Sequence, residues 1–401
     1  MNAARRVYAT VLLIIAACHA ASAQAAKPFF LGLGDLPGGD FSSVANGISP
    51  NASVVVGASR SAAGQEAFRW TIEDGMSALG DLPGGIHESL AANVSNDGVI
   101  VGVGWSANGL EAFSYAPSGG MSGLGFLPGS QLRSAAFAIS ADSSTIVGAG
   151  LNADLNHEAF RYTPLDGMVG LGDLPGGEFE SAAISVSHDG SVIVGEARSA
   201  LGIEAFRWTA GDGMVALGDL PGGGYLSVAS DVSADGSVIA GYSSALESQG
   251  SMLNEAFRWT AEEGMSRLGH IPGGIESLAF AVSADGQTIV GSDTPPFSTG
   301  PVATVWRQNR GMQSLRDVLI QEHLLAAELS GWRLVTAYDV SGDGTIIVGH
   351  GFNPSGIDEA WIARVPEPAT LETTLVFVLC VTAIAVHRGS QVRRSNEPIR
   401  Q

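Results

Sequence analysis

The residues best suited to chemistry are aspartates that recur in one seven-residue motif, Leu-Gly-Asp-Leu-Pro-Gly-Gly. They are Asp35, Asp81, Asp173 and Asp219. Brought together around one opening, their carboxylates would bind calcium or the hydroxyls of a sugar. Alternatively, each carboxylate accepts hydrogen bonds from its own turn. Equivalent positions hold Phe126, His270 and Arg316, so any ring of carboxylates would be partial. The sequence predicts no other cofactor.

Catalytic motifs are scarce in the body of the chain. Its histidines show neither HxxxH nor HxH spacing, so a zinc site has no support. Neither a Gly-x-Ser-x-Gly elbow nor a phosphate loop is present. A carboxylate pair for glycoside cleavage has no fixed spacing and could still be present. Acids outside the repeat pattern are the better candidates, namely Asp154, Glu180, Glu247 and Asp293.

These residues belong to a unit that repeats at about 46 residues. Each unit contains four strand-like segments, which we call a, b, c and d. In one unit they are Ser181–Ser187, Ser191–Gly195, Glu204–Thr209 and Met214–Leu217. An Asp-Gly pair follows strand a, as expected for a tight hairpin. The β-branched residues of strand b predict a buried strand.

The number of strands predicts a closed ring. Strands b and c each occur seven times, whereas only six d strands follow them. An additional d strand, Phe29–Leu33, precedes the first complete unit, and the last unit ends after strand c at Arg364. The offset would complete a circle, whereas an open solenoid would gain nothing from it; a β-solenoid and paired sandwiches are the alternatives. We therefore predict an all-β, seven-bladed β-propeller over 27–365, closed by its N-terminal strand.

Departures from the repeat indicate where binding would occur. In a propeller with strand a innermost, the b–c and d–a loops emerge on the same face. The b–c loop lengthens from Ala58–Gln65 in the first unit to Tyr242–Asn254 in the fifth. Such variation in loop length on one face of a rigid scaffold is typical of a binding surface. In the last blade, Arg316–Leu329 has apolar residues at helical spacing. It predicts one inserted amphipathic helix near the closure.

The N-terminus has the pattern of an export signal. Arg5 and Arg6 precede the apolar run Val7–Ala17, and Ala21-Ser22-Ala23 offers a cleavage site after Ala23. A signal peptide is therefore predicted over 1–23. A lipobox ending at Cys18 is the alternative, which would place a lipid on that cysteine.

The C-terminus combines Pro366-Glu367-Pro368, the apolar stretch 371–387, and Arg388, Arg393 and Arg394. These three elements over 366–401 resemble the PEP-CTERM sorting tail. The resemblance implies that an exosortase-type membrane enzyme recognises the tail and passes the protein to the cell surface. A plain membrane anchor is the alternative, since basic residues would hold that end in the cytoplasm.

Composition agrees with export. The two cysteines, Cys18 and Cys380, both lie in the terminal segments, so the body has no thiol for a disulfide or a zinc site. Between the termini, 14 basic and 37 acidic residues give a net charge of −23. Such a surface repels nucleic acid and anionic lipid.

The repeated words Asp-Leu-Pro-Gly-Gly, Ser-x-Asp-Gly-x-x-Ile-Val-Gly, Glu-Ala-Phe-Arg-Trp and Gly-Met together resemble the HAF extracellular repeat over 29–364. The resemblance implies secretion and carries no established activity. The interpretation is a surface propeller that binds extracellular polysaccharide or another surface protein. A carbohydrate-active enzyme and a structural matrix component are the alternatives.

Overall fold

The computed structural model describes residues 27–366, apart from 131–132, 247–251, 297 and 299. Chain contacts define one compact unit, Lys27–Val365, and a second unit made of Met1–Ala26 and Pro366–Gln401. The predicted signal peptide with Ala23, and the tail from Glu367 and Pro368 through the apolar stretch 371–387, lie outside the described residues. None of the described helices is long and apolar enough to cross a membrane.

The compact unit is built from 28 strands that form antiparallel sheets in chain order. An eight-stranded sheet contains β2 (Gly38–Ile48), β3 (Val55–Ser61), β4 (Gln65–Thr71), β5 (Gly75–Ala78), β6 (Gly84–Val94), β7 (Ile100–Ser106), β8 (Gly109–Ala116) and β9 (Gly120–Gly123). Its two four-stranded halves meet through one parallel bridge between Gln65 and Glu88.

The other strands form four-stranded sheets. They are β10 (Ser134–Ile139), β11 (Ile146–Leu151), β12 (His157–Thr163) and β13 (Gly167–Gly170); β14 (Gly176–Val186), β15 (Val192–Ser199), β16 (Ile203–Thr209) and β17 (Gly213–Gly218); β18 (Ser227–Val232), β19 (Val238–Leu246), β20 (Met252–Thr260) and β21 (Gly264–Arg267); β22 (Glu276–Val282), β23 (Thr288–Thr294), β24 (Val302–Arg307) and β25 (Gly311–Ser314). In the last sheet, β26 (Arg333–Val340), β27 (Ile346–Phe352) and β28 (Asp358–Arg364) are completed by β1 (Phe29–Gly32). The fold is all-β, as predicted, with about seven four-stranded sheets.

The hydrophobic core lies between neighbouring sheets. The aromatic residue of strand c is fully buried in each of these positions: Phe68, Phe113, Phe160, Phe206, Phe257 and Trp361. Around Phe206, for example, Val147 of the preceding sheet packs with Ile193 of the same sheet. Since each such cluster joins two sheets, no sheet buries its apolar faces alone.

A serine at the start of strand a fastens six of the sheets to the sheet that precedes each of them. The Ser227 hydroxyl accepts a hydrogen bond from the Ala205 amide at 2.9 Å and donates one to the Gly218 carbonyl at 2.7 Å. Equivalent serines make the same two bonds at Ser43, Ser89, Ser134, Ser181 and Ser277. A buried backbone amide in strand c thereby gains the partner that it needs.

The last sheet packs against the first. Strand β1 pairs antiparallel with β28, with Phe29 opposite Arg364, as the strand count predicted. Ser43 accepts a hydrogen bond from the Ala360 amide at 3.0 Å, and Asp339 Oδ2 accepts one from the Ile48 amide at 2.8 Å. Strand β2 also contacts β26, β27 and β28. The order of contacts therefore returns to its starting point.

The inserted helix is shorter than the predicted Arg316–Leu329. Helix α1 spans Leu315–Gln321, and the Ser314 side chain caps it by accepting a hydrogen bond from the Asp317 amide. Leu324 then takes a positive φ of 59°, a conformation that interrupts an α-helix. The turn allows Leu325 and Leu329 to reach the core near Phe30 and Trp361, which explains the shorter helix.

Candidate functional site

The aspartates of the repeated motif lie in separate d–a turns. Asp173 caps its own turn, since its carboxylate accepts hydrogen bonds from the amides of Leu174 at 2.8 Å and Glu180 at 2.9 Å. Burial raises the pKa of Asp81, Asp173 and Asp219 above the usual range. Asp35 occupies the equivalent turn before β2. Within the described part of the chain, no group of three or more His, Cys, Asp or Glu could hold a metal ion.

The acids outside the repeat pattern have different environments. Asp154 is exposed in the β11–β12 loop, and Glu247 lies outside the described residues. Asp293 is fully buried, accepts a hydrogen bond from the Ile271 amide at 2.8 Å, and lies 3.3 Å from His270 Nδ1. Glu180 forms an ion pair with Arg198 at 2.8 Å. Of these acids, Glu180 is the one that lines the central cavity.

The b–c and d–a loops share one face of the molecule, which we call the mouth face. In successive sheets, a glycine of the d–a turn lies against a residue of the b–c loop. The pairs are Gly38 with Ala62, Gly84 with Ala107, Gly129 with Ala153, Gly176 with Ala200 and Gly331 with Pro354. A side chain at these glycines would meet the loop, so glycine permits the close approach of the two loops in these five sheets, whereas the equivalent Gly222 and Gly273 have no neighbour within 4 Å.

The a strands enclose a central cavity of about 610 Å³, which we call the cup. Its wall contains three aromatic residues, Phe137, Phe280 and Tyr338. The a strands also contribute polar residues to this wall: Asn46, Asn93, Ser185, Ser230, Asp231 and Asp339. His157, Glu180, Glu196 and Arg198 line the part of the cup nearest the mouth face. This volume lies within the range of small-molecule sites, about 300–1,000 Å³.

The opposite end of the cup is narrow. Here the a–b turns are joined from sheet to sheet by backbone hydrogen bonds, with Ala234 N to Ala284 O at 3.1 Å, Ala284 N to Gly342 O at 3.0 Å and Gly342 N to Pro50 O at 2.9 Å. A cavity of about 70 Å³ lies at this end. The larger opening is therefore at the mouth face.

Asp231 and Asp339 are the most perturbed carboxylates of the cup. Asp231 accepts hydrogen bonds from the Ser185 hydroxyl at 2.6 Å and the Val282 amide at 2.8 Å. Burial raises the pKa of Asp231 to about 6. Burial, together with the charge of Asp231, raises the pKa of Asp339 to about 8. Each carboxylate therefore links two neighbouring sheets while remaining costly to ionise.

Sequence reasoning missed these two residues. The detectable signal was the residue that precedes the final Val-Ser or Ile-Ser of strand a. It is Gly47, Asn93, Ala138, Ser185 or Ala281 in other units, but aspartate at 231 and 339. An acid at a position that is otherwise small or neutral marks a departure from the repeat.

Four exposed aromatic side chains lie on the mouth face, and none of them is among the residues that line the cup itself. Phe41 in β2, Phe179 in β14 and Tyr225 just before β18 occupy equivalent positions in the repeat and are 37%, 38% and 63% exposed. Trp105, at the end of β7, is 37% exposed. Isolated apolar residues on a surface are ordinary, but aromatic residues at repeated positions around one cavity indicate an interaction surface.

The cyclic order of sheets around a central cavity defines the class of protein, a β-propeller. No family model matches the sequence, and no curated protein is significantly similar to it. Similarity to solved structures is found at the level of the fold.

An oligogalacturonate lyase in complex with manganese aligns with a TM-score of 0.52 and 11% identity, over 80% of this chain and 89% of that chain. The oligogalacturonate lyase of Vibrio parahaemolyticus aligns with a TM-score of 0.50 and 11% identity, over 85% and 98%. TolB from Acinetobacter baumannii has a TM-score of 0.45 and 13% identity, over 68% of this chain and 62% of that chain. At 11% identity, the alignments with the two lyases support a shared fold alone.

Proposed function

We propose that this chain is an exported, closed seven-bladed β-propeller that binds extracellular polysaccharide on its mouth face without cleaving it. The observation that carries the proposal is the set of exposed aromatic residues, Phe41, Phe179 and Tyr225, at repeated positions around the cup. A sugar ring presents an apolar face and a rim of hydroxyls. Rigid aromatic side chains pack well against the apolar face of the sugar, and the polar groups of the cup can bind its hydroxyls.

Repetition favours a polymer over a single small molecule. Phe179 and Tyr225 are one repeat apart, and Phe41 is three repeats before Phe179. A polymer that contacts two such positions gains affinity because the second contact is intramolecular. The ring thus presents related contacts to successive units of one polysaccharide chain.

The proposal includes the sorting route inferred from the two termini. The signal peptide over 1–23 would export the chain, and the PEP-CTERM-like tail would deliver it to an exosortase-type enzyme. Replacing Pro366-Glu367-Pro368 by alanines should leave the full-length protein in the inner membrane. Unchanged surface display in a fractionation experiment would contradict this part of the proposal.

A carbohydrate-active enzyme is the second candidate. The observation that favours it is the pair Asp231 and Asp339, two carboxylates with raised pKa values in one cavity. Both, however, are held by backbone amides of neighbouring strands. This arrangement suits carboxylates that fasten sheets together better than carboxylates that must exchange protons with a substrate.

Binding and turnover are separated by testing the purified full-length protein on a glycan array and in a polysaccharide depolymerisation assay. The double variant with Phe179→Ala and Tyr225→Ala should bind the best glycan at least tenfold more weakly, because it loses two aromatic contacts. Leu165→Ala is the matched control, since Leu165 is 93% exposed in a c–d turn, at the opposite edge of the sheet.

Equal binding by the double variant and the native protein would show that the aromatic residues of the mouth face do not bind the polysaccharide. Depolymerisation that is abolished by Asp231→Asn or Asp339→Asn would establish the enzymatic alternative. Absence of both binding and turnover would favour a structural matrix component.

A further inference from the structure

The cup has an unusual combination of aromatic walls and excess negative charge. Four carboxylates line it, those of Glu180, Glu196, Asp231 and Asp339, whereas Arg198 is the one guanidinium among the described lining residues. The Arg198 side chain is already engaged by Glu180, with Nε 2.9 Å from Oε2. Because Asp339, with a pKa of about 8, is largely neutral at pH 7, the negative potential of the cup comes from Asp231 and Glu196, and its low-dielectric walls would strengthen it.

The aromatic side chains lie beside the two innermost carboxylates. Tyr338 directly precedes Asp339 in β26, and its ring centroid is 5.6 Å from that of Phe280. On its other side, Tyr338 stacks against His350 at 5.5 Å. Aromatic faces attract a desolvated cation, and carboxylates attract it more strongly. The aromatic rings and the carboxylates thus both favour a positively charged ligand.

The hydrogen bonds of the two carboxylates leave their charge uncompensated. Their partners are backbone amides and the Ser185 hydroxyl, which are dipoles and not cations. Burial raises the pKa of both carboxyls, and the charge of Asp231 adds to the rise at Asp339. A cation bound beside them would stabilise the ionised forms and lower both pKa values.

We propose that the cup binds the ammonium group of an amino sugar, so that the polysaccharide recognised by the mouth face carries free amines. The inference rests on the proposed binding function and specifies its ligand class. Polyuronates, the acidic class suggested by the names of the similar lyases, would instead be repelled. The N-acetylated form of an amino sugar polymer would retain the aromatic contacts and lose the contribution of charge.

Three oligosaccharide probes of equal length distinguish these cases. They are a glucosamine oligomer with free amines, its fully N-acetylated counterpart, and an oligogalacturonate. At pH 7, calorimetry with the full-length protein should show the amine oligomer binding about tenfold more tightly than the N-acetylated one. The oligogalacturonate should bind most weakly of the three.

Substitutions assign the preference to the cup. Asp231→Asn should abolish the preference for the amine oligomer, because it removes a charge while keeping a side chain of the same shape. Should Asp231→Asn fail to fold by circular dichroism, Glu196→Gln serves as the second variant and should reduce the preference about threefold. Phe179→Ala should weaken binding of the amine and N-acetylated oligomers by a similar factor, since both retain the sugar rings that it contacts.

A trimethylammonium derivative of the oligomer provides a pH test, because its own charge does not titrate. Its affinity should rise from pH 5 to pH 8 as the carboxylates ionise. The titratable and charged groups that face Asp231 and Asp339 or line the same cavity are Tyr338, His350, Glu196, Tyr242, Glu180, His157 and Arg198. The dependence on pH should therefore be reduced, but not removed, by Asp231→Asn.

The outcomes separate the two proposals. Equal affinities for the amine and N-acetylated oligomers, unaffected by Asp231→Asn and Glu196→Gln but reduced by Phe179→Ala, would overturn the ammonium site and leave the polysaccharide function standing. Tighter binding of oligogalacturonate would overturn the charge argument. If none of the three probes bound and the glycan array were also empty, the proposed function itself would be refuted.

Discussion

Replacing Asp339 by asparagine should change the stability of the protein by an amount that depends on pH. Asp339 lies where the last sheet meets the first, and its carboxylate accepts hydrogen bonds from Ile48 N at 2.8 Å and Val340 N at 2.7 Å. Burial and the Asp231 charge raise the pKa of Asp339 from the usual 3.8 to about 8. The stability that this group contributes is therefore present below pH 4 and is lost as the pH rises through 8.

The magnitude follows from the shift in pKa. One unit corresponds to about 1.4 kcal/mol, so ionising Asp339 between pH 5 and pH 8 costs at most about 3.5 kcal/mol of unfolding free energy. Because the carboxylate borders the cup, solvent reduces this cost, and we expect about 2 kcal/mol. At pH 5 the native carboxyl is neutral and similar in shape to asparagine. Asparagine, however, offers one acceptor oxygen in place of two, so Asp339→Asn should be less stable than the native protein at pH 5 and should regain about 2 kcal/mol relative to it by pH 8.

The assay is urea unfolding of the full-length protein, followed by tryptophan fluorescence at both pH values. Urea is chosen because a neutral denaturant does not screen the charges that the experiment measures. Asp154→Asn, in an exposed loop, is the matched control and should show no difference between the two pH values. If Asp339→Asn lost the same stability at pH 5 and pH 8, the hydrogen bonds to Ile48 and Val340 would outweigh the charge, and the reasoning would be refuted.

Two further predictions concern the contacts between sheets. Ser227→Ala leaves the buried Ala205 amide without its acceptor and should cost about 1–3 kcal/mol of unfolding free energy. The control, Ser191→Ala in an exposed hairpin turn, should cost less than about 0.5 kcal/mol. Equal falls in melting temperature for the two variants would contradict the role of Ser227. Phe206→Ala removes a fully buried ring and should cost about 3–5 kcal/mol in urea unfolding. Val215→Ala, half exposed on β17, is its control, and comparable losses for the two variants would show that the core between sheets is not the main source of stability.

Much of the fold could be predicted from sequence because the residues that make contacts between sheets recur at the same positions of the repeat. Ser227 and Phe206 occur at equivalent positions in almost every unit, since each makes the same contact with an adjacent sheet. The orphan strand at Phe29 could be assigned to the last sheet because that sheet had no strand d of its own. Local patterns and strand counting were sufficient for these features.

The features that escaped prediction depend on contacts across the ring. The chain turns at Leu324 so that Leu325 can reach the core near Trp361, and nothing in the helical pattern of 316–329 records that requirement. Similarly, Asp231 and Asp339 are more than 100 residues apart in sequence. The influence of Asp231 on the pKa of Asp339 arises only when the sheets surround one cavity. The aspartates of the repeated motif were conspicuous because they repeat, and the structure places them in turns.

The residues that line the cup favour a ligand that binds in one orientation. If every unit contributed the same residue, a ring of repeats would present a symmetric wall, suited to an ion on its axis. The residues actually present at the equivalent inward positions are Asn46, Ala92, Phe137, Ile184, Ser230, Phe280 and Tyr338. Two aromatic side chains thus occur at adjacent positions, where Phe280 meets Tyr338; a third, Phe137, lies three sheets away, and the other positions hold non-aromatic residues. Such a wall distinguishes the apolar face of a ligand from its polar edge, so the cup suits a single sugar held in one orientation better than a centred metal ion.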